Sequence, residues 1–123
     1  MKLIKAPQTL PGDSYNFSNW FETLDALTEE TYKLDFDIAL IGCGAYGFPL
    51  ASRIKNIGKK SIHLGGATQL MFGIKGKRWD QNPSFCNIYN KFWKYPSIDE
   101  KPKGYFGIDD GCYWAPDNDG FKK

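Results

Sequence analysis

The chain has 123 residues, 41% hydrophobic and 24% charged, with a net charge of +2. That is the composition of a soluble globular protein holding one domain with a modest core, and hardly two. No apolar run approaches the roughly 18 residues that cross a bilayer, no signal-peptide pattern opens the chain, and the widely spaced Cys43, Cys86 and Cys112 give neither a disulfide framework nor a paired metal motif. A cytoplasmic location and reduced thiols are therefore expected; no cofactor is predicted and no metal-ligand residues are named, while dependence on a divalent metal stays open.

Lys2 to Ala6 fits a short first strand, stopped by Pro7 and a Pro11-Gly12 turn. Ser18 or Asn16 can cap a following helix whose apolar stripe is Trp20, Phe21, Leu24, Leu27 and Tyr32. Residues 36–41 read as a buried strand, followed directly by Gly42-x-Gly44-x-x-Gly47. Pro49 suits the first turn of a helix over 48–57, with Leu50, Ile54 and Ile57 inward and Arg53 and Lys55 outward. Gly58 stops that helix, and residues 60–64 form a third strand. This alternation is the rhythm of a parallel sheet with right-handed crossovers.

Beyond Gly65-Gly66 the pattern changes. Residues 67–72 suit a short helix and 73–80 a loop. Phe85, Ile88, Tyr89, Phe92 and Trp93 suit one more helix, ended by Pro96. From Ser97 the chain reads as an irregular tail anchored by Tyr105, Phe106, Tyr113 and Trp114, with 117–123 a flexible end. The expected fold is a single α/β domain over 1–116, three-layered and Rossmann-like, with a short, mostly parallel sheet. Three strands leave a sheet edge bare, and such edges are normally paired or covered. A second copy, or a partner chain, is a natural completion.

Charge is unevenly distributed: residues 1–41 sum to −4, 42–94 to +8 and 95–123 to −2. The basic block begins at the glycine turn, where free N–H groups at the start of a helix can hold phosphate or another anion. A dinucleotide would need an acidic residue roughly 20 residues on; His63-Leu64-Gly65-Gly66 stands there instead. The glycines can equally serve only to pack helix on strand. Gly65-Gly66-Ala67-Thr68-Gln69 is a second glycine turn, also at a strand end, in which Thr68 can cap or bind and Gln69 can read a sugar or base edge. His63, the single histidine, has no acidic partner; it is the one candidate for a catalytic role, as base or hydrogen-bond donor, against the alternative of a satisfied core histidine.

Lys75-Gly76-Lys77-Arg78-Trp79 sets three cations beside an indole, suited to gripping phosphate and stacking on a ring, or to an exposed loop anchored by Trp79. One such cluster at this net charge is a small footprint for nucleic acid, which is not expected as a partner. Cys43 sits where a helix start can lower a thiol pKa, or simply where a small residue fits. Asp117-Asn118-Asp119 looks like an Asp-x-Asp pair without converging ligands.

The runs Phe36 to Gly47, Pro49-Leu50-Ala51, Ile62 to Gln69 and Phe72 to Trp79 resemble a family of poorly characterised bacterial proteins, with Lys2 to Thr9 and Gly111-Cys112-Tyr113-Trp114 also similar. Members are often encoded with surface-polysaccharide biosynthesis and are similar to the GT-D-type glycosyltransferase fold. Members are usually about twice as long, with an amino-terminal half carrying an Arg-Gly-acidic motif, so the chain is expected to correspond to the carboxyl-terminal portion. The resemblance implies a nucleotide-sugar or other phosphorylated small molecule as ligand. It implies Gly42, Gly44, Tyr46, Gly47, His63, Gly65, Gly66, Thr68, Gln69, Lys75, Lys77 and Arg78 as ligand-side positions. The alternative is a non-catalytic binding or assembly module that completes its sheet with a partner chain.

Overall fold

A computed structural model describes residues 1–9 and 17–116. The Pro11-Gly12 turn, Asn16, Asp117-Asn118-Asp119 and the expected flexible end lie outside the described residues. Helices and a small parallel sheet make the chain α/β. Internal packing divides it into two compact units, residues 1–9 with 17–68, and residues 69–116.

In the first unit, helix α1 (Trp20–Tyr32) is capped by Asn19 rather than Ser18. The Asn19 side chain accepts from Glu22 N–H at 3.0 Å, while Glu22 reaches back to Ser18 N–H at 2.9 Å. Its buried face is Thr23, Leu24, Leu27, Thr28 and Thr31, whereas Phe21 and Tyr32 of the expected stripe are exposed. The threonines can be buried because each hydroxyl donates to the carbonyl four residues back: Thr23 to Asn19 at 3.1 Å, Thr28 to Leu24 at 2.7 Å and Thr31 to Leu27 at 2.8 Å.

Strand β1 (Ile38–Ile41), helix α2 (Gly47–Asn56) and strand β2 (Lys60–His63) follow, with β1 and β2 parallel and Leu40 opposite Ile62. Leu24 and Leu27 of α1, Ile41, Tyr46, and Leu50 and Ile54 of α2 form the core, Ile54 being fully buried. Arg53, expected to point outward, ties the helices instead: its guanidinium donates to Asp25 at 2.6 Å and to Thr28 Oγ1 at 3.0 Å, and its carbonyl accepts from Tyr32 O–H at 2.9 Å.

The expected first strand does not form. Residues 2–6 pair with no strand among the described residues; Ile4 packs against the core, and Lys2 Nζ donates to the Asp35 carbonyl at 2.9 Å. Among the described residues the sheet therefore has two strands, Ile38–Ile41 and Lys60–His63, rather than three.

Helix α3 (Thr68–Met71) leads into the second unit. There α4 (Lys77–Asp80) replaces part of the expected loop, and the expected helix over 85–93 shrinks to α5 (Pro83–Cys86). Beyond Cys86 the bonds run only three residues back, Ile88 N–H to the Phe85 carbonyl and Tyr89 N–H to that of Cys86, both at 3.1 Å, and the Asn90 side chain then accepts from Phe92 N–H at 2.9 Å in an Asx turn. The remainder is built on short 3₁₀ turns, with Trp114 and Cys112 buried and Tyr105 edge-on to Trp114 at 5.7 Å.

Candidate functional site: paired glycine turns

The turns over 42–47 and 65–68 leave the carboxyl ends of adjacent parallel strands, the position at which open α/β sheets hold ligands. They touch one another. A Cβ on Gly42 would stand 2.6 Å from Thr68 Cβ and 2.9 Å from the Gly65 carbonyl oxygen, so only glycine permits this approach. Thr68 Oγ1 donates to the Ile41 carbonyl at 3.4 Å, holding the second turn on the end of β1.

Gly44 and Gly65 play a different part. Both take left-handed backbone, φ 52° and 55°, and a Cβ on either would meet open space. After Gly44 the chain makes one 3₁₀ turn, Gly44–Tyr46, that runs straight into α2. Tyr46 N–H bonds the Cys43 carbonyl at 3.1 Å and Gly47 N–H that of Gly44, whereas the N–H groups of the exposed residues Gly44 and Ala45 bond no backbone carbonyl among the described residues. These are the leading donors at the positive end of α2.

His63 packs on the start of the same helix. A Cβ on Gly47 would overlap the imidazole ring and lie 2.9 Å from Nε2. The exposed Phe48 ring meets the imidazole edge-on, centroids 4.6 Å apart. His63 Nδ1 is buried without a partner among the described residues. A buried orphan N–H is the less tolerable state, which assigns the ring proton of the neutral form to Nε2. That arrangement suits a hydrogen-bond donor beside the turn better than a general base.

Several expected ligand contacts are taken by packing. Tyr46 is buried, stacked on Trp20 with centroids 5.3 Å apart, and its hydroxyl meets Thr9. Burial pushes the Cys43 thiol from 9.0 up to about 11, the opposite of a helix-activated nucleophile. Gly66 lies within the 3₁₀ turn Gly65–Ala67, where its carbonyl and that of Gly65 accept from Thr68 N–H.

Gln69, Lys75, Lys77 and Arg78 belong to the second unit, where the side chains of three and the backbone of Lys77 have local partners. Gln69 accepts from Trp79 Nε1 at 3.1 Å and donates to the Tyr113 carbonyl at 2.9 Å. Arg78 lies over the Trp79 and Tyr113 rings and 3.6 Å from Asp109. Lys75 stands over the rings of Tyr89 and Tyr95, whose hydroxyls donate to the two oxygens of Asp80 at 3.0 and 2.8 Å. Lys77 holds the turn by its backbone, N–H to the Trp114 carbonyl at 2.9 Å. The Tyr89–Asp80–Tyr95 clamp carries no sequence signal, because its members are spaced irregularly along the chain. Phe48 beside His63 belongs to no sequence motif either, although its place directly after Gly47 puts it at the helix start.

Among the described residues no three His, Cys, Asp or Glu side chains converge as metal ligands, and no helix is long and apolar enough to cross a membrane. Comparison with protein-family models, with curated proteins and with solved structures gives no match.

Proposed function

We propose that the chain is a glycosyltransferase-like module that binds a nucleotide-sugar or another phosphorylated sugar at the paired glycine turns of its first unit. One observation carries the reading: two glycine turns at the ends of adjacent parallel strands lie against each other, each with a left-handed glycine facing open space. The Gly44 and Ala45 N–H groups would meet phosphate at the positive end of α2, with His63 Nε2–H and the Gly65–Thr68 turn beside the sugar or base. If transfer takes place, backbone donors of this kind stabilise charge on the departing nucleotide. The strand–helix–strand unit is then the core of a three-layer Rossmann-like arrangement, and the family resemblance points to surface-polysaccharide assembly in the cytoplasm. Calorimetric titration with uridine, guanosine and cytidine diphosphate-sugars tests it. Binding of at least one, weakened about tenfold or about 1.4 kcal/mol in Gly44→Asn, is expected. Asparagine tolerates the left-handed backbone there but fills the open space. No heat from any ligand contradicts the reading.

A second reading is an assembly module. It is favoured by a sheet in which, among the described residues, both strands are edges and whose Ile38, Leu40 and Ile62 remain 47%, 40% and 45% exposed. Light scattering over a concentration series should then show a dimer; a monomer throughout contradicts it.

A further inference from the structure

In the second unit, Asn90 closes a tight turn: its side chain accepts from Phe92 N–H at 2.9 Å and its carbonyl from Trp93 N–H at 3.1 Å. Lys91 and Phe92 therefore occupy the apex. Phe92 is 75% exposed, and the Lys91 ammonium lies 5.1 Å from its ring centre. The base of the turn is pinned. Lys75 N–H bonds the Lys94 carbonyl at 2.8 Å, Lys94 N–H bonds the Gly73 carbonyl at 3.1 Å, and the Trp93 ring packs 4.8 Å from that of Tyr89. Holding a phenyl ring in water on a well-anchored turn gains nothing for folding.

The surroundings are cationic. Lys91 and Lys94 are exposed, Ile88 is 55% exposed, and no acidic residue occurs from Gln81 to Ile98. Asp80, just before that stretch, is held by the hydroxyls of Tyr89 and Tyr95, with the Lys75 ammonium over both rings. Asp99 and Glu100 follow it directly: Asp99 is exposed, and Glu100 accepts from Ser97 N–H at 3.1 Å.

We propose that this apex is a docking point for an anionic lipid surface, the Phe92 ring entering the headgroup boundary while Lys91 and Lys94 meet anionic headgroups. Aromatic rings favour that boundary, and each lysine near an anionic surface strengthens binding by roughly fivefold. A single protruding ring flanked by lysines suits a fluid interface that moulds around it; a rigid protein partner would have to offer a preformed acidic pocket.

Cosedimentation of the full chain with vesicles tests the proposal, comparing phosphatidylcholine alone with phosphatidylcholine containing phosphatidylglycerol. Binding to the anionic vesicles only, reduced by added salt, is expected. Lys91→Glu with Lys94→Glu should abolish it, and Phe92→Ser should weaken it with the lysines intact. Lys33→Glu with Lys55→Glu, exposed lysines of the first unit, should leave binding in place. Circular dichroism verifies that each variant is folded. No sedimentation with either vesicle, equal sedimentation with both, or an unchanged Phe92→Ser variant would overturn it.

Discussion

His63 and Gly47 occupy one space. The imidazole fills the position a Cβ at residue 47 would take, so the third glycine of Gly42-x-Gly44-x-x-Gly47 is explained by steric exclusion rather than ligand contact. Gly47→Ala should therefore cost roughly 1–3 kcal/mol in urea unfolding, as overpacking does. Adding His63→Ala should recover part of that loss; strictly additive effects would show that the two do not share the space. Gly44→Asn, with open space at its Cβ, should cost about 1 kcal/mol or less. Cys43 gives a chemical counterpart. Its raised thiol pKa favours the neutral form in the folded chain, so this contribution to stability is intact below 9.0 and is lost as pH rises through about 11. Alkylation at pH 8 should leave Cys43 unmodified in the native chain under conditions that label the denatured one.

At the scale of elements, α1 depends on its cap. Asn19→Ala removes the acceptor of Glu22 N–H and should lower stability by about 1 kcal/mol. Ile54→Ala, at the fully buried centre of α2, should cost about 2–5 kcal/mol. In the second unit the shared Asp80 clamp predicts an alkaline transition. Burial first, then the bonded carboxylate, raises Tyr95 to about 12 and Tyr89 upward as well. Raised phenol values mean that the stability they contribute is whole below 10.0 and falls as pH rises toward 12. Asp80→Asn removes the negative charge and should move phenolate formation, followed by near-ultraviolet absorbance, to lower pH; an unchanged titration would dissociate the clamp from the shift. These elements also mark what was legible. Residues 36–64 declared strand, turn, helix and strand through period and glycine placement, and the boundaries moved by only a residue or two. The face of α1 was not legible, because Thr23, Thr28 and Thr31 count as polar until their hydroxyls are seen bonded to the backbone. The helix over 85–93 failed for a related reason: apolar spacing does not show the tighter turns at Ile88 and Tyr89 or the side-chain bond of Asn90.

At the scale of the whole molecule, sequence showed that two glycine turns exist but not how the basic run 75–78 is employed. Lys75 and Arg78 look like phosphate ligands in a one-dimensional reading. Folded, they lie on tyrosine and tryptophan rings within the second unit, partnerships set by residues as distant as Tyr113. The proposed ligand site therefore lies in the first unit, where Gly42, Gly65 and Thr68 are in contact. Calorimetric titration of the chain and of Gly44→Asn with a panel of nucleoside diphosphate-sugars tests it most directly. Heat from at least one sugar nucleotide is expected, with an affinity about tenfold weaker in the variant and the variant's fold intact by circular dichroism. An affinity identical in the two proteins, or no heat from any compound, would contradict it.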